Sequence, residues 1–428
     1  MTTPSSRESS TNRAKASPAP STATATSTGS TAETTTTSRP DAYVSEKSDD
    51  SSKLKTFLSI LRKFIGVSDI AAVRFSLPTQ LLEPTPNLEY WNYLDRPETF
   101  ISIGDSDDGL IRMLEVLRFW FTKDLKYVKG KPCKPYNSAL GEFFRCNWEV
   151  KDEVPPILGE THKESTTEHI GTSNKPVRVS YLTEQTSHHP PVSAFFVDCP
   201  VKGISMRGFD QLSAKFTGTS IRVTPGAHNL GLFINVKSRG NEEYQLTHPT
   251  AHLGGMLRGS LSVTVTDQCY IICPKTKIKV IMHYQEESWL GKTQNKVNGV
   301  VYTYDPENDN KSRIKDIPEK DVRARIEGCW HDQVYYTLAG AKDPSLLIDL
   351  KPLFPLPKII PPLEKQLPNE SQRFWASVTA AIKGKQFNEA TKLKQELEER
   401  QREKANQRKE KERRVETQVL YECCHASG

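Results

Sequence analysis

The sequence predicts an α+β fold that is mainly β, with a large antiparallel β-barrel flanked by helices. Between about residues 143 and 330, apolar and polar residues alternate in short runs broken by Gly, Asn, Asp and Pro, a pattern typical of antiparallel strands. On both sides of this region, apolar residues recur every three or four positions, which indicates amphipathic helices. Closing such a long meander into a barrel removes its edges, and a barrel of many strands can hold a cavity for an apolar ligand.

The first 52 residues are predicted to be a disordered leader. Of these residues, 25 are Ser or Thr and none is Leu, Ile, Phe or Trp, so the segment cannot bury enough apolar surface to offset the entropy lost on ordering. The leader contains no apolar stretch like that of a secretory signal, and its Glu and Asp residues argue against a transit peptide. We therefore expect the folded domain to begin after it.

The composition argues against a membrane-spanning or nucleic-acid-binding protein. No run of eighteen apolar residues occurs, so no segment is expected to span a bilayer. The net charge of +6 is too small and too evenly mixed with acids to indicate nucleic-acid binding, although it favours anionic membrane surfaces. The 8 cysteines include no Cys-x-x-Cys pair, which fits reduced thiols in the cytosol. A cytoplasmic protein is expected.

A basic amphipathic helix is predicted directly after the leader, from about Lys53. Its apolar face consists of Leu54, Phe57, Leu58, Leu61, Phe64 and Ile65. Basic residues occupy much of the remaining surface, and Gly66 is suited to end the helix. Such a helix can cover the core of its own domain or lie in a membrane interface, and the pattern leaves both possibilities open.

The next two segments are expected to pack onto the sheet. Pro78 and Pro84 prevent a continuous helix and indicate an extended strip that enters the core. A helix is then predicted from the apolar residues Leu110, Met113, Leu114, Leu117, Phe121 and Leu125. Asp105, Asp107 and Asp108 lie near its start, where the helix dipole favours negative charge.

Two adjacent histidines, His188 and His189, are followed at once by Pro190 and Pro191 and then by a β-prone apolar run. The prolines stiffen the backbone, and the first of them pushes His189 into an extended conformation. A rigid pair of imidazoles at the mouth of a strand can hold a compact anion by hydrogen bonds and, once protonated, by charge.

The residues alone leave three other interpretations of this pair. The first is a purely structural pair, which is the usual role of histidines at the margin of a core. The second is a zinc site with His162 and His169, whose spacing lacks the tight pattern of known zinc motifs. The third is a serine nucleophile at Ser187, but its place beside His188 in sequence does not establish a catalytic triad.

The stretch around the histidines resembles the fingerprint of the oxysterol-binding protein family, which is usually Glu-Gln-Val-Ser-His-His-Pro-Pro. The matching residues here are Glu184, Gln185, Thr186, Ser187, His188, His189, Pro190 and Pro191. Only Thr186 departs, and it replaces one β-branched residue by another. The resemblance implies a large incomplete antiparallel β-barrel around a lipid tunnel, with an N-terminal lid and flanking helices. It places the lid at residues 53–75 and the lipid-binding domain at residues 76–414.

The same resemblance implies that the lid closes over the tunnel and can face a bilayer when it is open. The residues expected to face the membrane are Leu54, Phe57, Leu58, Leu61 and Phe64.

A second stretch resembles the family's loop motif, Lys-Pro-x-Asn-Pro-x-Leu-Gly-Glu. Aligned backwards from residues 140–142, the positions of Lys134 and Asn137 match. In the family these two positions contact an inositol phosphate head group, so the resemblance implies that role here. Ser138 replaces the usual second proline, which leaves both contact residues in place.

The segment after Pro368 is predicted to be helical and to end in a stripe of charges. Lys394, Glu398 and Arg402 are four residues apart, so they share one helix face and by themselves indicate a salt-bridge ladder. Their spacing also resembles the family's C-terminal Lys-x-x-Leu-Glu-x-x-Gln-Arg. This implies phosphate contacts from Lys394 and Arg402, with Glu398 holding the cations in position. Residues 415–428 depart from the family pattern and are predicted to be a disordered tail.

The resemblance implies a lipid transfer protein rather than an enzyme. It would bind phosphatidylinositol 4-phosphate and exchange it for a second lipid, with sterol as the family default and phosphatidylserine as the other candidate. The expected head-group residues are Lys134, Asn137, His188, His189, Lys394, Glu398 and Arg402. No cofactor, metal or nucleic acid is expected. The protein is expected to be a monomer that binds membranes of the endoplasmic reticulum, Golgi or plasma membrane peripherally and transiently.

The alternative function is a sensor or scaffold. Such a protein would bind the same lipids and recruit partners, without net transport of lipid between membranes.

Overall fold

The structure is a computed structural model and describes residues 47–73, 77–130, 132–157, 175–258, 261–286 and 294–410. The helices are α1 (Lys47–Leu61), α2 (Asn87–Tyr90), α3 (Pro97–Ile101), α4 (Gly109–Thr122), α5 (Leu125–Lys129), α6 (Ser371–Phe374), α7 (Ala376–Lys383) and α8 (Phe387–Glu410). The strands are β1 (Phe143–Val150), β2 (Val177–His188), β3 (Pro191–Cys199), β4 (Ile204–Asp210), β5 (Leu212–Phe216), β6 (Ile221–Pro225), β7 (Leu232–Val236), β8 (Glu242–Leu246), β9 (Thr250–Gly254), β10 (Ser262–Cys273), β11 (Ile278–Tyr284), β12 (Lys296–Thr303), β13 (Val322–Cys329), β14 (Gln333–Leu338) and β15 (Ser345–Asp349). Of the helices in these ranges, none is long and apolar enough to cross a bilayer.

The strands form one antiparallel sheet with a small side flap. Most of them follow the order β1-β2-β3-β4-β7-β8-β10-β11-β12-β13-β14-β15. The strands β5, β6 and β9 leave this path, because β5 pairs with β6, β6 pairs with β9, and β9 pairs with the first part of β10. We call these three strands the flap. Within the described residues no pairing joins β1 to β15, so the sheet does not close into a complete barrel.

The alternation of apolar residues explains how the strands face the core. β7 coincides with the predicted run, and its residues Leu232, Ile234 and Val236 are buried while those between them are half-buried. β2 is longer than the alternating run that predicted it and continues to His188. The buried faces of these strands pack with α4 to form the main hydrophobic core.

α4 lies inside this core and is buried on nearly all sides. Asp108 caps its start, because one carboxylate oxygen accepts a hydrogen bond from the backbone N–H of Leu110 at 2.7 Å. The buried positive charge of Arg112 is balanced by Glu242, whose carboxylate lies 2.6 Å from the guanidinium. The predicted helix is confirmed, except that Leu125 begins α5 instead of ending α4.

α1 begins earlier than the sequence analysis predicted. It starts at Lys47, within the last residues of the predicted leader. Helix formation propagates cooperatively from the apolar second half into the preceding polar residues, which composition alone does not reveal. A 3₁₀ turn at Arg62–Phe64 extends α1, and Gly66, with φ of +89°, ends it. Residues 1–46, residues 74–76 with the predicted end of the lid, and residues 411–428 lie outside the described part of the chain.

The apolar face of α1 packs on the flap. Leu61 is 1% exposed and contacts a small cluster formed by Ile70, Phe216, Ile221 and Met256. The other predicted membrane-facing residues lie partly buried at the margin of this cluster, and they are Leu54, Phe57, Leu58 and Phe64. These residues are therefore buried against the flap, and contact with a membrane would require α1 to leave the flap.

The C-terminal helices form a separate small core. Trp375, Val378 and Ile382 pack there with Tyr136, which belongs to the loop before β1. Lys385, with φ of +56°, lies in the break between α7 and α8. Residues 353–362 connect β15 to the C-terminal region without helix, and Ile359 within them forms a β-bridge to Asn147 of β1.

Candidate functional site

The two histidines lie at the turn between β2 and β3. His188 ends β2 and is in register with Pro191, the first residue of β3. The rings of His188 and His189 are edge to face with centroids 4.5 Å apart, and both side chains are exposed. The Ser187 hydroxyl donates to the Pro190 carbonyl at 2.7 Å, so it is engaged by the backbone. This hairpin presents two imidazoles at the protein surface.

The loop before β1 is joined directly to the histidine hairpin. Nδ1 of His188 lies 3.1 Å from the carbonyl oxygen of Ser138. Because a carbonyl only accepts, Nδ1 carries the proton in this pair. Two backbone hydrogen bonds also connect Gly141 and Glu142 of the loop with Gln185 of β2, at 2.9 and 2.8 Å. Two motifs that are separate in sequence are therefore one unit in space.

Lys134 lies in this loop beside Asn137. Its Nζ donates to Oδ1 of Asn137 at 2.6 Å and to the carbonyl of Pro135 at 3.2 Å. Burial lowers the pKa of Lys134 to about 8, and the positive charge of Lys394 acts in the same direction. A poorly hydrated ammonium group close to a second one is a favourable place for an anion.

Lys394 approaches the loop from α8. It is 7% exposed, and its Nζ donates to Glu398 at 2.7 Å. Arg402 lies one helical turn further along, 4.0 Å from the same carboxylate, and its side chain is 67% exposed. The predicted salt-bridge ladder is confirmed, whereas the contact of these side chains with phosphate stays a prediction.

The structure thus brings most of the expected head-group residues together. We call this group, which consists of Lys134, Asn137, His188, His189 and Lys394, the cation cluster. Glu398 holds one of its ammonium groups, while Arg402 lies at its edge. The Thr79 hydroxyl donates to the Phe387 carbonyl at 3.0 Å and lies 2.9 Å from the Thr391 hydroxyl, with which it shares a hydrogen bond. These contacts connect the start of α8 to the segment after the predicted lid.

Glu142 is a residue whose part in the site the sequence analysis missed. Its carboxylate is 1% exposed and accepts hydrogen bonds from the Ala139 N–H at 2.9 Å, the Ser371 hydroxyl at 2.7 Å and the Trp375 indole at 3.0 Å. Burial raises its pKa to about 7, although these three donors favour the ionised form. Glu142 therefore connects the Lys134 loop to α6 and to the break before α7. The loop motif contained it, but nothing in the motif indicated its partners.

A second polar group, also missed, lies against the main core. The Tyr93 hydroxyl donates to Asp210 at 2.6 Å, and the Tyr93 ring stacks on His248 with centroids 5.6 Å apart. The ammonium of Lys123 is paired with Asp124 and lies 4.3 Å above the Trp120 ring. We call this group the inner polar cluster, and its members are Tyr93, Trp120, Lys123, Asp124, Asp210 and His248.

The inner polar cluster has acceptor character. Burial raises the pKa of Asp210 to about 6. Burial and the charge of Lys123 lower the pKa of His248 to about 3, so the imidazole is neutral, and its Nε2 has no hydrogen-bond partner among the described residues. The cluster's residues come from loops, α4 and β4, and no spacing in the sequence connects them.

Two of the other interpretations of the histidines, the zinc site and the serine nucleophile, find no support in the described residues. There, no group of three His, Cys, Asp or Glu side chains is arranged to hold a metal ion. His162 and His169, the candidate additional zinc ligands, lie outside the described residues. Ser187 is bonded to a backbone carbonyl, and that contact does not activate a nucleophile.

Comparison with known proteins gives consistent matches. Residues 56–381 match the family model described as oxysterol-binding protein. The chain is 41% identical over 451 residues to oxysterol-binding protein-like protein 1 of Schizosaccharomyces pombe, covering 87% of each chain. It is 30% identical over 388 residues to human oxysterol-binding protein-related protein 9, covering 89% of this chain but 48% of the human protein. The chain thus spans about half the length of that relative.

Solved structures share the fold. The Osh1 ORD domain in complex with ergosterol superposes with a TM-score of 0.57 at 18% identity, covering 84% of this chain and 81% of that chain. The Osh3 ORD of Saccharomyces cerevisiae in complex with PI(4)P superposes with a TM-score of 0.53 at 18% identity, covering 84% and 85%. These likenesses confirm the predicted mainly β fold with its incomplete antiparallel barrel.

Proposed function

Because the chain belongs to the oxysterol-binding protein family, we propose that it binds phosphatidylinositol 4-phosphate at the cation cluster and exchanges it for a second lipid between membranes. The main support for this proposal is that three segments far apart in the sequence meet in one cluster. Lys134 comes from a loop, His188 and His189 come from a hairpin, and Lys394 comes from α8. The Osh3 ORD, which shares the fold, was solved in complex with PI(4)P, and this supports the proposal.

The charge of the cluster suits a phosphomonoester. Lys134, Lys394 and Arg402 contribute three positive charges, and Glu398 contributes one negative charge, which leaves two. A phosphomonoester carries about −1.5 to −2 charges at pH 7. The amide of Asn137 and the N–H groups of the imidazoles add further donors, and hydrogen bonds to a charged phosphate are stronger than those between neutral groups.

We propose sterol as the second lipid. The inner polar cluster offers acceptors, namely the carboxylate of Asp210 and Nε2 of the neutral His248, to which a lipid hydroxyl can donate. A phosphate placed there would be repelled by Asp210, so the two clusters favour opposite chemistries. The Osh1 ORD domain was solved in complex with ergosterol and with cholesterol, which adds support. Phosphatidylserine remains the competing candidate in the experiment below.

The proposed activity is transport without chemical conversion. A lipid that leaves a bilayer exposes apolar surface to water at a cost of about 0.8 kcal/mol per methylene. A lidded, incomplete barrel can bury that surface during transfer, and the packing of α1 on the flap is consistent with a closed lid. The protein would act peripherally where two membranes approach each other.

Transfer between liposomes tests the proposal. Fluorescent sterol or fluorescent phosphatidylserine is placed in donor vesicles, with or without phosphatidylinositol 4-phosphate in the acceptor vesicles. We expect the inositol lipid to accelerate sterol transfer severalfold, because transfer of the inositol lipid in the opposite direction sustains the exchange. If the inositol lipid accelerated transfer of phosphatidylserine alone, phosphatidylserine and not sterol would be the cargo. Tight binding of the inositol lipid without transfer of either cargo would overturn exchange and support a sensor.

A further inference from the structure

Two large apolar side chains project into solvent around the small core beneath the lid. Ile65 is 63% exposed and follows Phe64, which packs against that core. Leu257 is 66% exposed and follows Met256, which is buried in the same core. Each exposed residue thus follows a neighbour that packs into the core; one lies just after the 3₁₀ turn that extends α1, and the other lies between β9 and β10.

The lid side of this surface is basic. Arg62 and Lys63 are exposed in the 3₁₀ turn that immediately precedes Ile65. The only acidic residue between positions 62 and 73 is Asp69, and its carboxylate accepts hydrogen bonds from the N–H groups of Ala71 and Ala214, each at 2.9 Å. Its charge is therefore directed toward the backbone of the lid and flap. Apolar tips beside cations are the combination that binds anionic bilayers.

We propose that Arg62, Lys63, Ile65 and Leu257 form a docking surface for anionic lipid bilayers that works while the lid is closed. A second copy of this chain suits the surface less well, since a two-fold contact would bring Arg62 and Lys63 close to their own copies. The inference deepens the proposed function by naming where the protein meets the membrane. It does not require that the cation cluster bind an inositol lipid.

Docking in the closed state leaves the apolar face of α1 in place. The N–H of Ile70 donates to the Ala214 carbonyl at 2.6 Å, so the end of the lid is hydrogen-bonded to β5 of the flap. Leu61 remains in its cluster, and only side chains that are already in water enter the bilayer interface. α1 also contacts the core beside the cation cluster through Phe57 and Ile60, so docking brings that cluster near the membrane.

Vesicle co-sedimentation of the full chain tests the surface without any inositol lipid. The vesicles consist of phosphatidylcholine alone or of phosphatidylcholine with phosphatidylserine. The variant Arg62→Ala/Lys63→Ala should lose about fivefold in affinity per removed cation on the anionic vesicles. The variant Ile65→Asp/Leu257→Asp should lose roughly tenfold or more. Added salt should weaken the wild type more than the variant without the two cations.

The matched control is Val201→Asp. Val201 is 80% exposed and lies just beyond the end of β3 opposite the histidine hairpin, so it is apolar and exposed but outside the surface. It should bind vesicles like the wild type. Wild-type binding by the Ile65 and Leu257 variant, or an equal loss in the control, would overturn the proposal. The milder Ile65→Ser/Leu257→Ser pair should show a smaller loss in the same direction.

Two further measurements separate this proposal from its competitors. Hydrogen exchange should show residues 67–72 and 212–216 equally protected with and without vesicles, whereas lost protection on vesicles would mean that the lid opens to dock. Sedimentation should show the same mass for the wild type and the aspartate variant, whereas a dimer abolished by the substitutions would assign the surface to self-association. Binding of a soluble inositol 4-phosphate head group should be unchanged in all docking variants, so failure of docking and failure of the proposed function remain distinguishable.

Discussion

The proposed binding of a head group at the cation cluster should depend on pH through Lys134. Burial and the neighbouring charge of Lys394 lower its pKa to about 8 in the empty cluster. A phosphate between the two ammonium groups favours their charged forms and raises the pKa again, so binding above about pH 8 requires the uptake of a proton. The ammonium of Lys134 is hydrogen-bonded to Asn137 and to the Pro135 carbonyl, and that of Lys394 is hydrogen-bonded to Glu398.

We expect the affinity for the soluble head group of phosphatidylinositol 4-phosphate to be higher at about pH 7 than above about pH 8. Between about pH 8 and pH 9.5 it should fall roughly tenfold, because Lys134 loses its proton. Calorimetric titration across this range provides the measurement. The Lys134→Arg variant keeps its charge, so its affinity should not fall between about pH 8 and pH 9.5. An identical fall in affinity in both proteins would show that Lys134 does not cause it.

The two histidines should be specific for one of the two lipids. Replacing both His188 and His189 by Ala should weaken binding of the inositol lipid at least 100-fold, since each hydrogen bond to a charged group contributes about 1.5–3 kcal/mol. Binding of the second lipid should change little, because the hairpin is exposed. Lipid extraction from vesicles measures both. His228→Ala, at an exposed position in a loop, is the control, and loss of both lipids in the double variant would indicate a structural role instead.

Sequence patterns identified single residues well where a motif placed several of them close together. Lys134, Asn137, His188 and His189 were predicted and lie in one cluster. Tyr93, Asp210 and His248 were not predicted, because residues from separate segments meet only after folding and no local spacing records it. The loop motif included Glu142, but two of its three donors, Ser371 and Trp375, lie in α6 and in the break before α7, far along the chain.

At the scale of elements, Glu142 connects the loop before β1 to α6 and to the break before α7. Its raised pKa means that the folded chain binds this proton more tightly than the unfolded chain does. The stability that the group contributes therefore increases as the pH falls from about 7 toward about 4.5, and it is lost as the pH rises through about 7.

The direction of this pH dependence can be measured by comparing the wild type with a variant. The free energy of unfolding of the wild type, relative to that of Glu142→Gln, should rise by up to about 3 kcal/mol as the pH falls across that window. Denaturant unfolding at several pH values gives the difference directly. Glu149→Gln, which changes an exposed carboxylate on β1, serves as the control. A constant difference between wild type and Glu142→Gln at all these pH values would show that Glu142 does not titrate there.

α1 should be required to retain cargo. Deleting residues 1–46 leaves α1 complete and should hardly change retention of a fluorescent sterol during gel filtration. Deleting residues 1–73 exposes the cluster of Phe216, Ile221 and Met256, so both retention and the unfolding temperature should fall. Equal retention by the two truncated proteins would mean that α1 is not a lid.

A helix or strand could be predicted where its pattern of apolar residues repeats within the element itself. The alternation of β7 and the helical spacing of α4 identified both elements. The start of α1 was placed too late because helix propagation into polar residues leaves no apolar signature. The flap was also not predicted, since the departure of β5, β6 and β9 from the main order depends on pairing between strands that are not neighbours in sequence.

At the scale of the whole molecule, two polar clusters of opposite chemistry belong to one domain. The cation cluster favours a phosphate, and the inner polar cluster favours a hydrogen-bond donor. The sequence suggested the barrel through its many short strands, and the family resemblance then implied the exchange of two lipids. Which second lipid is favoured could not be read from a motif, because the residues that bear on it are dispersed over the chain.

The joining of α8 to the segment after the lid has a consequence for biosynthesis. Thr79 and Thr391 are hydrogen-bonded although they are 312 positions apart in the sequence. Lys394 lies within one helical turn after Thr391 in α8. At translation rates of about 5–20 residues per second, the ribosome needs roughly 13–50 s to get from Lys134 to Lys394. A nascent chain therefore contains its histidine hairpin long before the proposed phosphate site is complete. Newly made protein would remain unable to capture the inositol lipid until its C-terminal helix has left the ribosome.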